Sequence, residues 1–412
     1  MQDSRISFDD TATAFAAKTN GDLQRAYWLF RLIGFNWLVK ISPPFVNAAI
    51  ALRLPIKGII RSTIFKHFCG GETIADCETT IRHLHRYNVG TILDYSVEGK
   101  ESEADFEQSL RQTLATIQRA NGDAAIPFSV FKPTGIARFA LLEKKNSGAK
   151  LSADEQAEYD RFITRFDTIC RTGFENNVPI FVDAEESWIQ DAIDEVATSM
   201  MEKYNHQRAI VYNTLQLYRH DRLDYLHKAV AHANKGNYIA GFKLVRGAYM
   251  EKERARAISM NYSSPIQPDK SATDHDYDAA LTFALQHIER ISLCAGSHNE
   301  SSNLLLTELM REKGLPNNHP HIWFSQLCGM SDHISFNLSK AGYNVCRYVP
   351  YGPVTAVLPY LIRRAQENTS VAGQTGRELS LILTERKRRK QTRSPTMSAI
   401  KQQRSPQGTY TM

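Results

Sequence analysis

Eight short β-rich runs, separated by longer helical patterns, predict an α/β chain folded as a (β/α)8 barrel. Two further observations favour the closed barrel over an open doubly wound sheet. Polar residues recur at or just past the last position of these runs, where barrel enzymes build their sites. No Gly-x-Gly-x-x-Gly follows the first run, as a dinucleotide-binding sheet would usually carry.

The runs are 89–96, 126–132, 179–184, 208–216, 239–246, 291–297, 321–327 and 344–349. Helical patterns lie between them over 154–174, 187–204, 221–235, 274–290, 299–314 and 353–368. These bounds place an N-terminal helical arm at 1–87, the barrel at 88–382 and a polar, basic tail at 383–412. In the arm, residues 24–40 are dense in apolar and aromatic side chains and predict a largely buried helix, with two shorter helical stretches over 45–85. Packing on the barrel is the ordinary reading of that helix; a membrane surface or a partner is the alternative. The tail opens with Glu385-Arg-Lys-Arg-Arg-Lys390 and continues rich in Ser, Gln and Pro, a composition expected to be disordered.

Composition excludes several classes. The net charge of +6 resides largely in that tail, and a nucleic-acid reader would carry its basic face on the folded domain. Six cysteines without a CxxC pair argue for reduced thiols rather than a disulfide framework or a zinc site. His67, His83 and His85 have no acidic or cysteine companions at metal spacing, so no metal is expected. The acidic N-terminus has neither a signal-peptide nor a transit-peptide pattern, and the longest uncharged stretch, 41–52, is too short to span a bilayer. The expected location is the cytoplasm, with peripheral contact to the inner face of the plasma membrane as an option, or the mitochondrion in a eukaryote.

At the ends of the runs stand Lys132, Asp183, Gln216, Arg246, Ser297, His298 and Gln326. Polar residues at six matching strand ends, Ser297 and His298 sharing one, are hard to assign to packing and suggest convergence on one ligand. The helix after the eighth run carries Tyr360-Leu-Ile-Arg-Arg-Ala-Gln-Glu-Asn368. Arg363 and Arg364 can clamp a carboxylate through parallel hydrogen bonds, and Glu367, one turn on, can fix their rotamers. A surface ion pair is the bland alternative for such a pair of arginines.

That segment closely resembles the one that closes the barrel of proline dehydrogenases. Phe242-Lys-Leu-Val-Arg-Gly-Ala-Tyr249 resembles the family's fifth-strand motif, Val182-Asp-Ala-Glu-Glu186 its third and Gly296-Ser-His-Asn299 its sixth. Leu327-Cys-Gly-Met-Ser-Asp332 and Tyr348-Val-Pro-Tyr-Gly352 are similar to the seventh and eighth, all in family order over 88–370. The resemblance implies non-covalent FAD, oxidation of L-proline to 1-pyrroline-5-carboxylate as the first step of proline catabolism, and a membrane quinone as electron acceptor. It implies that Arg363 and Arg364 hold the proline carboxylate, with Glu367 pairing them. Lys132 and Asp183 would lie at the substrate, and Tyr348 and Tyr360 would wall its ring. Ala184, Gln216, Val245, Arg246, Gly247, Ser297 and His298 would line the flavin. Lys243 stands where some bacterial members carry arginine, leaving open whether it or Arg246 supplies charge near the flavin.

The chemistry needs such groups. Hydride leaves the ring carbon beside nitrogen only from a neutral amine, and Lys132 or Asp183 could place or remove that proton. A cation near the isoalloxazine stabilises its anionic reduced form. Structural readings stand beside these roles: Asp183 as an N-cap for the helix from Ser187, His298 as a satisfied rim histidine, Tyr348 as strand packing. A hydroxyproline dehydrogenase is the nearest alternative function, against which Tyr348 argues modestly.

Overall fold

The computed structural model describes residues 6–33, 57–97, 101–370 and 374–402, with side chains omitted for 57, 59, 365–370, 374–375 and 393–402. Its eight strands are β1 Val89–Tyr95, β2 Phe128–Phe131, β3 Ile180–Val182, β4 Val211–Gln216, β5 Ala240–Val245, β6 Ile291–Gly296, β7 Ile322–Leu327 and β8 Val345–Tyr351. They form one closed parallel barrel in sequence order. β1 closes it by pairing with β8 from Val89↔Val345 to Tyr95↔Tyr351.

Alternation along each strand explains why two apolar layers coexist. In β3, Phe181 points into the barrel while Ile180 and Val182 pack against the surrounding helices, as a two-residue period requires. Inside, Phe128 stacks on Phe181 with centroids 4.3 Å apart, and Tyr212 and Trp323 meet Phe128 edge-on. Burying each such ring contributes about 2–3 kcal/mol, and together they make a rigid floor below the strand C-termini.

Helix ends follow local chemistry. Ser152 and Glu155 form a reciprocal capping box for Ala153–Glu175. Helix Lys270–Gln286 begins four residues before the expected 274 because the Asp269 carboxylate accepts from Ala272 N–H. Asp183 caps nothing: the first N–H of helix Ser187–Tyr204 donates at 2.7 Å to Glu253, a residue that follows β5.

In the arm, helix Asn20–Ile33 covers the first part of the expected 24–40 helix; 34–40 lie outside the described residues. A short helix with one π turn at Arg61–Phe65, and helix Glu78–His85, follow.

Over 383–402 the expected disordered tail is instead helical; 403–412 lie outside the described residues. Helix Gln374–Gln402 packs on the arm. Leu381 and Ile382 join a buried cluster with Ala14, Phe15, Leu23, Ala26 and Phe30. Glu385 is fully buried, accepting from Thr11, Arg388 and Arg389. Arg389 in turn donates to the carbonyls of Phe15 and Lys18. Two cations of the basic run are thus paired from within, and the run is tied to a segment more than 360 residues away, which no local composition reveals.

Candidate active site

A cavity of ≈ 560 Å³ opens at the C-terminal ends of the strands. Lys132, Asp183, Ala184, Gln216, Lys243, Val245, Arg246, Gly247, Ser297, His298, Tyr348, Tyr360, Arg363 and Arg364 all line it. The side chain of Glu367 lies outside the described residues.

Alternating charges cross one side of the mouth. Lys132 Nζ, at the end of β2, donates to Asp94 at 3.1 Å and to Asp183 at 3.1 Å. Lys243 Nζ, from β5, donates to the other Asp183 oxygen at 2.5 Å and is also hydrogen-bonded to the Tyr348 hydroxyl. Tyr348 OH lies 3.3 Å from Asp183 Oδ1 as well. The Lys243 ammonium sits over the Tyr348 ring at 4.6 Å and the Phe181 ring at 5.3 Å, so the aromatic floor helps hold the cation. Burial alone would raise Asp183, but the two ammonium groups override it and hold the carboxyl at about 2. Burial, reinforced by Asp183, pushes Tyr348 up, so its hydroxyl stays protonated.

Two residues along from Asp183, Glu185 has the opposite environment. Its carboxyl accepts from Thr134 N–H at 2.9 Å and Thr134 Oγ at 2.5 Å, yet burial raises it to about 7. It ties the end of β3 to the turn that carries Lys132. Gln216 Nε2 donates to the Glu185 carbonyl at 2.7 Å.

The other side of the mouth is built differently. Arg246 turns along the rim, donating to Asp274 at 2.7 Å, Ser297 at 2.9 Å and Ser302 at 2.9 Å. Gly247 has φ +136°, and a Cβ there would meet the Tyr218 ring at 2.5 Å, so only glycine fits. Burial, with Arg364 and Arg347 nearby, lowers His298 to about 3 and keeps the ring neutral. Its Nε2 accepts from Leu327 N–H at 3.4 Å, and Nδ1–H donates to Ser331 Oγ at 2.9 Å. Ser331 N–H donates to Glu378 of the C-terminal helix at 2.6 Å.

Arg363 and Arg364 occupy helix Leu358–Ser370, and the Arg364 guanidinium lies 5.1 Å from the Tyr360 ring centroid. The Tyr360 hydroxyl is buried without a hydrogen-bond partner among the described residues. Two guanidinium groups beside a cavity that also holds two ammonium groups favour an anionic ligand.

Sequence reasoning passed over several lining residues. Asp94 stands near the end of β1, and the rule that singled out Lys132 and Asp183 would have found it. Tyr249 closes the fifth-strand motif. His333, Glu300, Arg377 and Glu378 gave no signal, because they meet only in three dimensions. His67 and His83 accept structural duties, with ring nitrogens 2.8 Å from the Gly329 carbonyl and 2.9 Å from the Ala17 carbonyl. Among the described residues no group of three or more His, Cys, Asp or Glu converges as a metal site.

The family model described as proline dehydrogenase matches residues 77–377. The chain is 32% identical to "Proline dehydrogenase 1, mitochondrial" of Dictyostelium discoideum, over 92% of this chain and 74% of that one. It is 30% identical to a hydroxyproline dehydrogenase of Xenopus laevis, over 93% and 90%. The crystal structure of proline utilization A from Bdellovibrio bacteriovorus superposes with a TM-score of 0.68 at 18% identity, covering 90% of this chain. The chain spans 40% of the length of that larger protein, and the likeness carries the barrel fold. By the extent of the family match and of the relatives' coverage, the chain belongs to the proline dehydrogenase family of oxidoreductases.

Proposed function

We propose that the enzyme oxidises L-proline to 1-pyrroline-5-carboxylate with non-covalent FAD, and that a membrane quinone takes up the electrons. The observation that carries this reading is the meeting of Arg363 and Arg364 with Lys132, Asp183, Lys243 and Tyr348 on one cavity. The residues present fit a flavin dinucleotide. The cavity lies in the size range of small-molecule sites, and the Tyr360 hydroxyl is buried without a partner among the described residues.

FAD, when bound, would supply the two-electron acceptor. The protein's part is positioning and charge. Arg363 and Arg364 hold the carboxylate, and Tyr348 and Tyr360 wall the ring. Asp183, at about 2 and already accepting from two ammonium groups, is a weak base; its part is to fix Lys132 and Lys243. Lys243 brings its ammonium to the cavity from inside β5, and Arg246 is committed to Asp274 and two serines. This favours Lys243 as the charge near the isoalloxazine.

Purified protein supplemented with FAD should show flavin absorption bands that bleach on anaerobic addition of L-proline. Arg364→Ala should keep the bands and need at least about a hundredfold more proline for the same bleach. A protein that takes up no FAD would overturn the assignment. The Xenopus relative supports hydroxyproline as a second reading; a higher kcat/KM for hydroxyproline than for proline would replace the first.

Quinone reduction calls for contact with a bilayer. Trp28 and Leu32 are exposed on helix Asn20–Ile33, Leu383 is exposed on the C-terminal helix, and Arg386 lies over Tyr27 at 4.9 Å. Aromatic and basic groups side by side suit peripheral attachment to an anionic surface. No described helix is long and apolar enough to cross a membrane. Co-sedimentation with anionic liposomes should weaken in Trp28→Ser with Leu32→Ser. We place the enzyme peripherally on the cytoplasmic face of a plasma membrane, or in the mitochondrion of a eukaryotic host.

A further inference from the structure

β2 and β3, which carry Lys132 and Asp183, lie across the closed barrel from β6 and β7. Helix Asp332–Lys340 follows β7, and His333 on its first turn lines the same cavity. The ring is 3% exposed. Its Nε2 lies 3.0 Å from Glu300 Oε1, and Arg377 of the C-terminal helix grips both oxygens of that carboxylate, at 2.8 Å and 3.2 Å. The hydrogen bond with His333, joined by those from Arg377, outweighs burial and lowers Glu300 to about 2, so the carboxylate is ionised. With Nε2 committed to Glu300, Nδ1 is the ring nitrogen left for a further hydrogen bond. Nδ1 is buried with no hydrogen-bond partner among the described residues. A buried polar atom without a partner costs about 1–3 kcal/mol, and bound ligands commonly complete such sites.

We infer that His333, oriented by Glu300 and Arg377, is a cofactor-binding residue whose Nδ1 accepts a hydrogen bond from a hydroxyl or amino group of the flavin dinucleotide beyond its isoalloxazine ring. The inference rests on the FAD reading above. The strand-built charge network marks the reacting end of the cavity, so the wall of β6, β7 and the C-terminal helix is left for the rest of the dinucleotide. The C-terminal helix then belongs to the cofactor site, because Arg377 orients the ring through Glu300.

Release of FAD from the loaded enzyme, followed by the rise in free-flavin fluorescence after dilution, tests this without turnover. His333→Phe keeps a ring against Phe8, which packs edge-on at 6.3 Å, but removes both nitrogens. It should release FAD about tenfold faster than the parent. His333→Gln, able to donate to Glu300 and accept from the ligand, should restore slow release, which a purely structural role for the ring would not require. Arg377→Ala should give a smaller acceleration of about threefold. Enzyme loaded with FMN distinguishes the donors: acceleration with both flavins assigns a ribityl hydroxyl, and acceleration with FAD alone assigns the adenosine half. Release by His333→Phe within twofold of the parent, or His333→Gln as fast as His333→Phe, overturns the inference while leaving the FAD reading intact. A parent protein that takes up no FAD overturns both.

Discussion

The two sides of the cavity are built on opposite principles. The side over β1, β2, β3, β5 and β8 is a ladder of Asp94, Lys132, Asp183, Lys243 and Tyr348, each group standing in a strand or directly after one. The side over β6 and β7 is stitched by residues from both chain termini. Arg377 bridges Glu300 and Asp9, Glu378 holds Ser331, and Lys18 of the arm pairs at 3.0 Å with Asp332, itself bonded to Arg347. The first side is fixed by the sheet and cannot move without breaking the barrel. The second depends on two segments docking onto it. Chemistry that demands sub-ångström placement suits the first, and cofactor uptake suits the second.

The largest effect expected from testing this contrast comes from Asp183→Ala. It leaves Lys132 with Asp94 but strips Lys243 of its carboxylate in a buried site. Removing one member of such a pair costs about 3–5 kcal/mol, because the remaining charge stays buried without compensation. Urea unfolding should show a loss of that size, with proline oxidation abolished. A loss below about 1 kcal/mol would mean the ladder is a surface-like network.

Glu185 sharpens the contrast within the strand-built side. Burial raises it to about 7 from 4.5, so the folded protein binds this proton more tightly than the unfolded chain. Its stabilising effect is complete below pH 4.5 and is lost as pH rises through about 7, amounting to roughly 3 kcal/mol at most. Asp183 runs the other way. Held down from 3.8 to about 2, its contribution is present above pH 3.8 and disappears as pH falls through about 2. Glu185→Gln should therefore match the parent in Tm at pH 5 and exceed it at pH 8. An equal Tm difference at both values would show that the carboxyl is not proton-linked to folding.

The same division governs what the sequence makes legible. A strand is a local pattern, and the residue ending it sits at a fixed offset, so Lys132, Asp183, Gln216 and Ser297 announce themselves. Within the ladder that rule reaches Lys132 and Asp183, while Lys243 and Tyr348, inside β5 and β8, were legible only through the family resemblance, and Asp94, near the end of β1, was passed over. Arg363 and Arg364 were legible because two arginines on one helical turn are chemically conspicuous. The terminus-built side was not. Arg377 meets Glu300 across 77 residues and Asp9 across 368, and neither pairing leaves a mark on local composition. The run Glu385–Lys390 has the composition of a solvated segment; what orders it is one glutamate buried among arginines and the apolar pair Leu381 and Ile382 just before it.

The smallest effect, and the one that isolates the second side, is expected from Glu385→Ala. The substitution removes the acceptor shared by Thr11, Arg388 and Arg389, leaving the two guanidinium groups facing each other at the junction of arm and C-terminal helix. The local cost is about 1–3 kcal/mol. Because no strand takes part, that loss should appear as undocking of the two segments rather than as unfolding of the barrel. Hydrogen exchange read by peptide mass should accelerate in 8–30 and 374–392 while β1 to β8 keep the parent's protection. If the strands lose protection together with the termini, the two sides form one cooperative unit, and docking of the C-terminal helix cannot serve as a separate step in cofactor uptake.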